Sequence, residues 1–157
     1  MLHRLILLRD ADDLVLCSGY IWEPAAGYKY KILDDKLLDV LLRGCKGKRI
    51  ITIAGKLDKQ WLDHYKNFVR RLRQKDLYVK PYLAPKRNWH AKIAIRLKQG
   101  KPIAAIIGSS NLTGPAYSEN GYSWNFECDV LIWENSSRLN QLFKQPFEKM
   151  WHLEIFS

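Results

Sequence analysis

The sequence predicts an α/β domain in which a mixed, largely parallel sheet is flanked by helices. Short apolar runs alternate along the chain with longer segments whose apolar residues recur at helical spacing, which is typical of strands joined by crossover helices. Two consecutive apolar runs near Gly100 and Pro102 add a hairpin, since glycine and proline suit the reversal. A chain of 157 residues can bury one core, and we expect a single domain over residues 1–157.

The elements are predicted from local signals taken in chain order. Apolar runs predict strands, and the longest continuous ones predict buried strands. The predicted strands are 14–20, 50–54, 77–82, 88–97, 103–107 and 127–133. Apolar stripes at helical spacing, acidic or hydroxyl residues at the start and glycine or cations at the end predict helices. The predicted helices are 2–9, 34–44, 58–74 and a last one that begins near 136, has an apolar face as far as Trp151, and is kinked or split at Pro146.

The charge balance indicates a polyanionic partner. The chain carries 26 basic and 16 acidic residues, which gives a formal net charge of +10. Such an excess favours nucleic acid first and an anionic membrane surface second. A protein that is basic only for solubility is the alternative, and composition alone leaves it open.

The spacing of the cysteines and the hydropathy of the chain indicate the cellular compartment. Cys17, Cys45 and Cys128 are odd in number and widely spaced, so they suggest neither a disulfide framework nor a metal site. No apolar run approaches the roughly 20 residues that a membrane span needs, and the N-terminus lacks a small-residue cleavage site. We therefore expect a cytoplasmic protein with no stable membrane insertion, and we predict no metal and no cofactor.

Two short motifs flank the predicted hairpin. In His90-Ala91-Lys92, the two-residue step places an imidazole and an ammonium side by side on one strand face. The second strand ends in Gly108-Ser109-Ser110-Asn111, a loop of small hydrogen-bonding side chains. Both motifs lie at the end of the hairpin distal to its turn, so pairing brings them together. One imidazole, one fixed cation and several donors at one point form an arrangement for holding and attacking a phosphodiester.

The order H-x-K followed by G-S-x-N resembles the signature of the phospholipase D superfamily. The match extends over about Trp89 to Val130, and an acidic residue that usually begins the next strand is present as Glu127. The fuller signature has an aspartate five residues after the lysine, where this chain has Leu97. That departure and the long interval before Gly108 are similar to the nuclease branch, including metal-independent restriction endonucleases. The resemblance implies a phospholipase D-like fold.

The resemblance also implies roles for individual residues. His90 would be the nucleophile, and Lys92 would neutralise the non-bridging oxygens where charge builds in the transition state. Ser109 and Asn111 would donate hydrogen bonds to the same oxygens. Glu127 would hold the far nitrogen of His90, with Asp129 on the same strand face as a rival.

Each of these residues also has a plainer interpretation. His90 is otherwise a structural histidine at the start of a strand, and Lys92 an exposed lysine on that strand. Ser109 and Asn111 are otherwise turn residues that bond their own backbone. Glu127 is otherwise a solvated acidic residue at a strand end.

Further candidates surround the motifs. Ser110 occupies the variable position of the signature and is a weaker substrate contact. Lys86 and Arg87 place two cations just before the motif, and Trp89 is able to stack on a base or to pack in the core. Trp61, Trp133 and Trp151 fall within element patterns, and we predict all three as core residues.

The resemblance predicts a metal-independent phosphodiesterase, most like a nuclease, that acts on nucleic acid and most readily on DNA. Members of the superfamily often carry two motif copies that meet in one site, whereas this chain carries one. We therefore expect a homodimer in which His90 of each chain completes the active site. Two alternatives stay open: a phospholipase D-type lipid phosphodiesterase or phosphatidyltransferase, and a non-catalytic nucleic-acid-binding module, for which the missing acid at Leu97 leaves room.

Overall fold

A computed structural model describes residues 1–24, 31–56, 58–84, 90–113 and 128–133, together with the backbone of 151–152. Its elements in chain order are α1 (Leu2–Ile6), β1 (Asp13–Ser18), α2 (Asp35–Cys45), β2 (Arg49–Ala54), α3 (Lys59–Arg73), β3 (Tyr78–Leu83), β4 (Ile93–Lys98), β5 (Lys101–Gly108), β6 (Asp129–Trp133) and β7 (Trp151–His152). The strands form one seven-stranded sheet in the order β6-β5-β4-β1-β2-β3-β7.

The predicted mixed sheet with flanking helices is confirmed, but its parallel part is smaller than predicted. Strand β2 pairs in parallel with β1 and with β3. The other pairs in the described sheet, β1–β4, β4–β5, β5–β6 and β3–β7, are antiparallel. The reason is that the hairpin β4–β5 joins the sheet beside β1 and β6 then adds to its outer strand, and none of these additions needs a crossover helix.

A local cap fixes the start of α2, and a buried tyrosine attaches α3 to the sheet. The Asp34 carboxylate caps α2 by accepting a hydrogen bond from the N–H of Leu37 at 2.7 Å. Helix α3 is fixed to the sheet through the fully buried Tyr65. The Tyr65 hydroxyl lies 2.8 Å from the Thr52 hydroxyl and 3.1 Å from the carbonyl oxygen of Tyr82. The helix is thereby tied to both β2 and β3.

Apolar side chains fill both faces of the sheet. The larger cluster joins the three helices to strand residues such as Leu14, Ile50 and Ala94, and the smaller one gathers Val15, Ile53 and others on the opposite face. The predicted alternation along β4 is confirmed. Ile93, Ile95 and Leu97, together with Ala91 just before the strand, all belong to or pack against the smaller cluster.

The opposite side of β4 holds a fully buried cation. The Arg96 guanidinium donates through Nη2 to the carbonyl oxygens of Ala11 at 3.3 Å and of Leu8 and Gly44 at 3.4 Å. Arg96 therefore ties β4 to α2 and to the segment that follows α1.

Two predictions about the C-terminal part are wrong. Trp133 is 66% exposed on β6, the outer strand of the described sheet, and is not a core residue. Residues 151–152 form strand β7 against β3, where the last helix was predicted. The rest of that predicted helix lies outside the described residues.

No helix within the described ranges is long and apolar enough to cross a membrane.

Candidate active site

The candidate site lies where four strand ends meet at one edge of the sheet. Cys17 near the end of β1 pairs with Ile93 at the start of β4, and Ile93 pairs with Ile107 near the end of β5. Gly108, the last residue of β5, pairs with Asp129, the first residue of β6. Because β4 and β6 run antiparallel to β1 and β5, the residues flanking these ends converge on that edge. The hairpin thus brings the two motifs together as predicted.

His90 and Lys92 are in direct contact just before β4 begins. The Lys92 Nζ lies 3.0 Å from His90 Nδ1 and donates a second hydrogen bond to the carbonyl oxygen of His90 at 2.9 Å. His90 is exposed, whereas Lys92 is half-buried. Since an ammonium only donates hydrogen bonds, this contact makes Nδ1 of a neutral His90 an acceptor and leaves its proton on Nε2.

The loop after β5 is fastened to the start of β6. The Ser110 hydroxyl donates to Asp129 Oδ2 at 2.6 Å, and the Ser110 N–H donates to Asp129 Oδ1 at 3.2 Å. The Ser109 hydroxyl accepts a hydrogen bond from the N–H of Cys128 at 2.9 Å. Ser110 is buried and Ser109 is exposed, so the residue predicted as the weaker of the two is the one held inside the site.

Gly108 is required by the close approach of β6. A Cβ atom at this position would overlap Asp129 Oδ1 and the carbonyl oxygen of Cys128. Glycine therefore lets Asp129 come near enough to hold the Ser110 backbone. A side chain here would push the carboxylate and the loop apart.

Asn111 faces the end of β1, where it meets a residue that the sequence analysis missed. The buried Ser18 hydroxyl donates to the Tyr20 carbonyl oxygen at 2.6 Å and lies 3.5 Å from Asn111 Oδ1. It also accepts a hydrogen bond from the N–H of Leu112 at 3.1 Å. Ser18 thus joins β1 to the loop. The available signal was its place at the carboxyl end of a buried strand, the edge where open α/β sheets bind ligands.

A narrow cleft at this edge combines charged, polar and apolar groups. Its polar lining comes from Lys92, Ser110 and Asp129, and its apolar lining from Cys17, Ile93, Ala94, Ile106 and Leu112. Burial raises the pKa of the Cys17 thiol to about 12. The thiol therefore stays protonated and is not a nucleophile at neutral pH.

Several predicted site residues lie outside the described residues: Lys86, Arg87, Trp89 and Glu127. Among the described side chains, His90 meets Lys92 and also the ring of Tyr20, whose centroid is 5.4 Å away in an edge-to-face arrangement. Tyr20 was not predicted as a site residue. No three His, Cys, Asp or Glu side chains within the described part are grouped so as to hold a metal ion.

Solved structures of other proteins share this fold. Phosphatidylserine synthase of Haemophilus influenzae Rd KW20 is similar with a TM-score of 0.61 and 14% identity, over 94% of this chain and 35% of that chain. Polyphosphate kinase of Porphyromonas gingivalis is similar with a TM-score of 0.57 and 13% identity, over 91% of this chain and 22% of that chain. This chain thus spans about a third or less of each of those proteins, and at such identities the likeness shows the fold alone.

The comparison with protein families is more specific. No curated protein matches the sequence. The model of the NgoFVII restriction endonuclease N-terminal PLD domain, however, matches residues 4–145. That range includes both motifs and most of the 157 residues. The chain therefore belongs to the family of the NgoFVII restriction endonuclease N-terminal PLD domain.

Proposed function

We propose that this chain is a metal-independent phosphodiesterase that hydrolyses nucleic acid, most readily DNA, through a phosphohistidine intermediate. The observation that carries the proposal is the contact between His90 and Lys92 beside the loop of Gly108 to Asn111. A nucleophile, a cation and a set of hydrogen-bond donors lie at one sheet edge, which is what phosphoryl transfer through a covalent intermediate needs.

In the first half of the reaction, a ring nitrogen of His90 attacks phosphorus. An N–P bond forms, the bond from phosphorus to the leaving oxygen breaks, and that oxygen takes a proton from a general acid. Lys92 neutralises the non-bridging oxygens, with the Ser109 and Asn111 side chains proposed as further donors. In the second half, water attacks phosphorus and gives a proton to the group that acted as the general acid, the N–P bond breaks, and free His90 and a phosphate monoester result.

Attack through Nε2 requires a change of tautomer. In the resting geometry Lys92 donates to Nδ1, so the ring proton is on Nε2. An incoming phosphate competes for the ammonium, and an acidic side chain at Nδ1 then favours the tautomer with its proton on that nitrogen. We assign this role to Glu127. Asp129 is the weaker candidate because both of its oxygens already accept hydrogen bonds from Ser110.

Two features support nucleic acid as the substrate class. The net charge of +10 attracts a polyanion and predicts binding that weakens steeply with salt, because cation–phosphate contacts release counterions. The matching family is named for a restriction endonuclease. The phosphatidylserine synthase among the solved structures shares the fold only. Because of that likeness, phospholipid is included among the substrates of the cleavage assay.

The general acid is proposed to come from a second copy of this chain. One chain holds a single G-S-x-N loop with one H-x-K segment beside it, because the other H-x-K segment, His64 to Lys66, lies in α3. Two His90 side chains that meet across a two-fold axis would supply one nucleophile and one acid. The exposure of His90 is compatible with such an approach. Mass measurement in solution tests the dimer directly.

The test of function is cleavage of labelled DNA, labelled RNA and phospholipid vesicles in EDTA. We expect DNA cleavage by the native chain and loss of at least a hundredfold in rate for His90→Ala, since nucleophilic catalysis is removed. His3→Ala, a half-buried histidine on α1, is the matched control and should keep full activity. Activity that is absent in EDTA and restored by magnesium would overturn the mechanism, and cleavage of vesicles alone would overturn the substrate class.

A further inference from the structure

Beside His90 lies a group of half-buried aromatic side chains, Tyr20, Trp22, Trp61 and His64, which we call the aromatic ridge. Tyr20 contacts His90, Trp61 lies 4.5 Å from Tyr20, and Trp22 lies 5.5 Å from Trp61, all between ring centroids and all edge-to-face. The ring of His64 lies 4.3 Å from that of Trp22. The ridge therefore runs continuously away from the proposed nucleophile.

The ridge is not part of the core that holds α3. Tyr65, Phe68 and Leu72 on the same helix are buried to 1% exposure or less, whereas Trp61 and His64 near its start stay half-exposed. The prediction of Trp61 as a core residue is therefore wrong. Large aromatic rings that remain accessible beside a catalytic group are surfaces on which another flat ring can stack.

The ridge is also held in place relative to the loop of the second motif, Gly108 to Asn111. Ile21 forms a backbone bridge with Leu112, and the N–H of Trp22 donates to the carbonyl oxygen of Leu112 at 2.8 Å. Ile21 is buried, and its neighbours Tyr20 and Trp22 are half-exposed. The same short segment therefore fixes the aromatic rings and the loop that follows Asn111.

The charges around the ridge suit a nucleotide. Lys56 Nζ lies 5.4 Å from the centroid of the Tyr20 ring and 3.8 Å from the exposed carboxylate of Asp58, with which a phosphate next to a stacked base would compete for the ammonium. Burial lowers the pKa of His64, against the weaker opposing effect of Asp63, so its ring is neutral at neutral pH. The ridge thus offers uncharged rings with a cation at its side.

We infer that the aromatic ridge binds an unpaired nucleobase next to the scissile phosphate, so that the substrate class is single-stranded nucleic acid or a nucleotide extruded from a duplex. Base faces inside a duplex are covered by their neighbours and reach such a surface only after unstacking. The inference rests on the proposed function for its position relative to the reacting phosphate. The stacking itself does not depend on turnover.

The test uses the full chain with His90→Ala, which binds without cleaving. Anisotropy of a labelled thymidine oligonucleotide is compared with that of the same oligonucleotide carrying abasic sugars. We expect the abasic strand to bind about tenfold more weakly, within the range of one base stack. Equal affinity for the base-containing and abasic strands overturns the inference.

Substitutions locate the stack. Adding Trp61→Ala should weaken binding of the base-containing strand about tenfold and leave the abasic strand within about twofold, whereas Trp61→Phe should retain most of the affinity. Trp133→Ala removes an equally large and exposed ring at the far end of β6, where the backbone pairs with Ala104, and should change the affinity for neither strand. Equal weakening of both strands by Trp61→Ala would assign the ridge a structural role only. Cleavage by the native chain is measured separately, so loss of the proposed activity and loss of base stacking are distinguishable.

Discussion

The carboxylate of Asp129 holds Ser110 by two hydrogen bonds, one from the Ser110 hydroxyl at 2.6 Å and one from its N–H at 3.2 Å. This pair fixes the loop of the second motif to the first residue of β6. The loop and Lys92 share one cleft, so the geometry of that cleft depends on a side chain outside both motifs.

Replacing Asp129 by Ala should therefore misplace the loop. We expect kcat/KM for DNA cleavage to fall by about tenfold to a hundredfold, as for small displacements of positioned groups, and the free energy of unfolding to fall by about 2 kcal/mol. Steady-state cleavage and urea unfolding measure the two effects. Asp39→Ala, which breaks an exposed ion pair with Arg43 on α2, is the matched control. Unchanged kcat/KM in the Asp129 variant would refute the positioning role.

The elements and one half of the site follow from local sequence. A period of two predicted the faces of β4, and the step from His90 to Lys92 predicted neighbours, because both patterns concern residues close together along the chain. Sequence could not show that Arg96 is fully buried. Its partners, the carbonyl oxygens of Leu8, Ala11 and Gly44, come together only in the folded chain.

The same difference, between patterns along the chain and contacts formed only on folding, explains why the sequence did not indicate several residues of the candidate site. Ser18 ends β1, Tyr20 follows it, and Trp61 lies in the first turn of α3, so their approach to the motifs depends on how the strands and helices pack. The tryptophan pattern was misleading for a related reason. Trp133 alternates like a core residue, but β6 is the edge strand of the described sheet and leaves it exposed.

A buried ion pair should make Glu23 important for stability. The Glu23 side chain is fully buried, pairs with Arg71 on α3, and accepts a hydrogen bond from the N–H of Leu33 at 2.8 Å. Removing one partner leaves the other charge and a backbone donor without compensation. We expect Glu23→Ala to lower the free energy of unfolding by about 3 kcal/mol, measured by urea denaturation. An effect no larger than that of the exposed Asp39→Ala would contradict this account.

Acid should destabilise the fold in part through His64. Burial lowers its pKa in the folded chain below the ordinary value of 6.5, so the unfolded chain binds the proton more tightly. Above pH 6.5 His64 is neutral in both states and does not oppose folding. As the pH falls below 6.5 the unfolded chain takes up the proton first, so the free energy of unfolding decreases. His64→Phe keeps a ring and cannot be protonated, so its free energy of unfolding should decrease less from neutral to acidic pH. Parallel pH profiles of the two proteins would contradict the assignment.

The three cysteines should differ sharply towards a thiol reagent. All are free, Cys17 and Cys45 are buried, and Cys128 is exposed beside the loop of the second motif. Burial raises the pKa of Cys17 to about 12 and also raises that of Cys45, where the charge of Arg96 opposes it in part. Since the thiolate is the reactive form, Cys128 alone should react in the native chain and all three in denaturant. Cys128→Ser should abolish native labelling. Native labelling that persists in this variant would contradict the protection of Cys17 and Cys45 by burial.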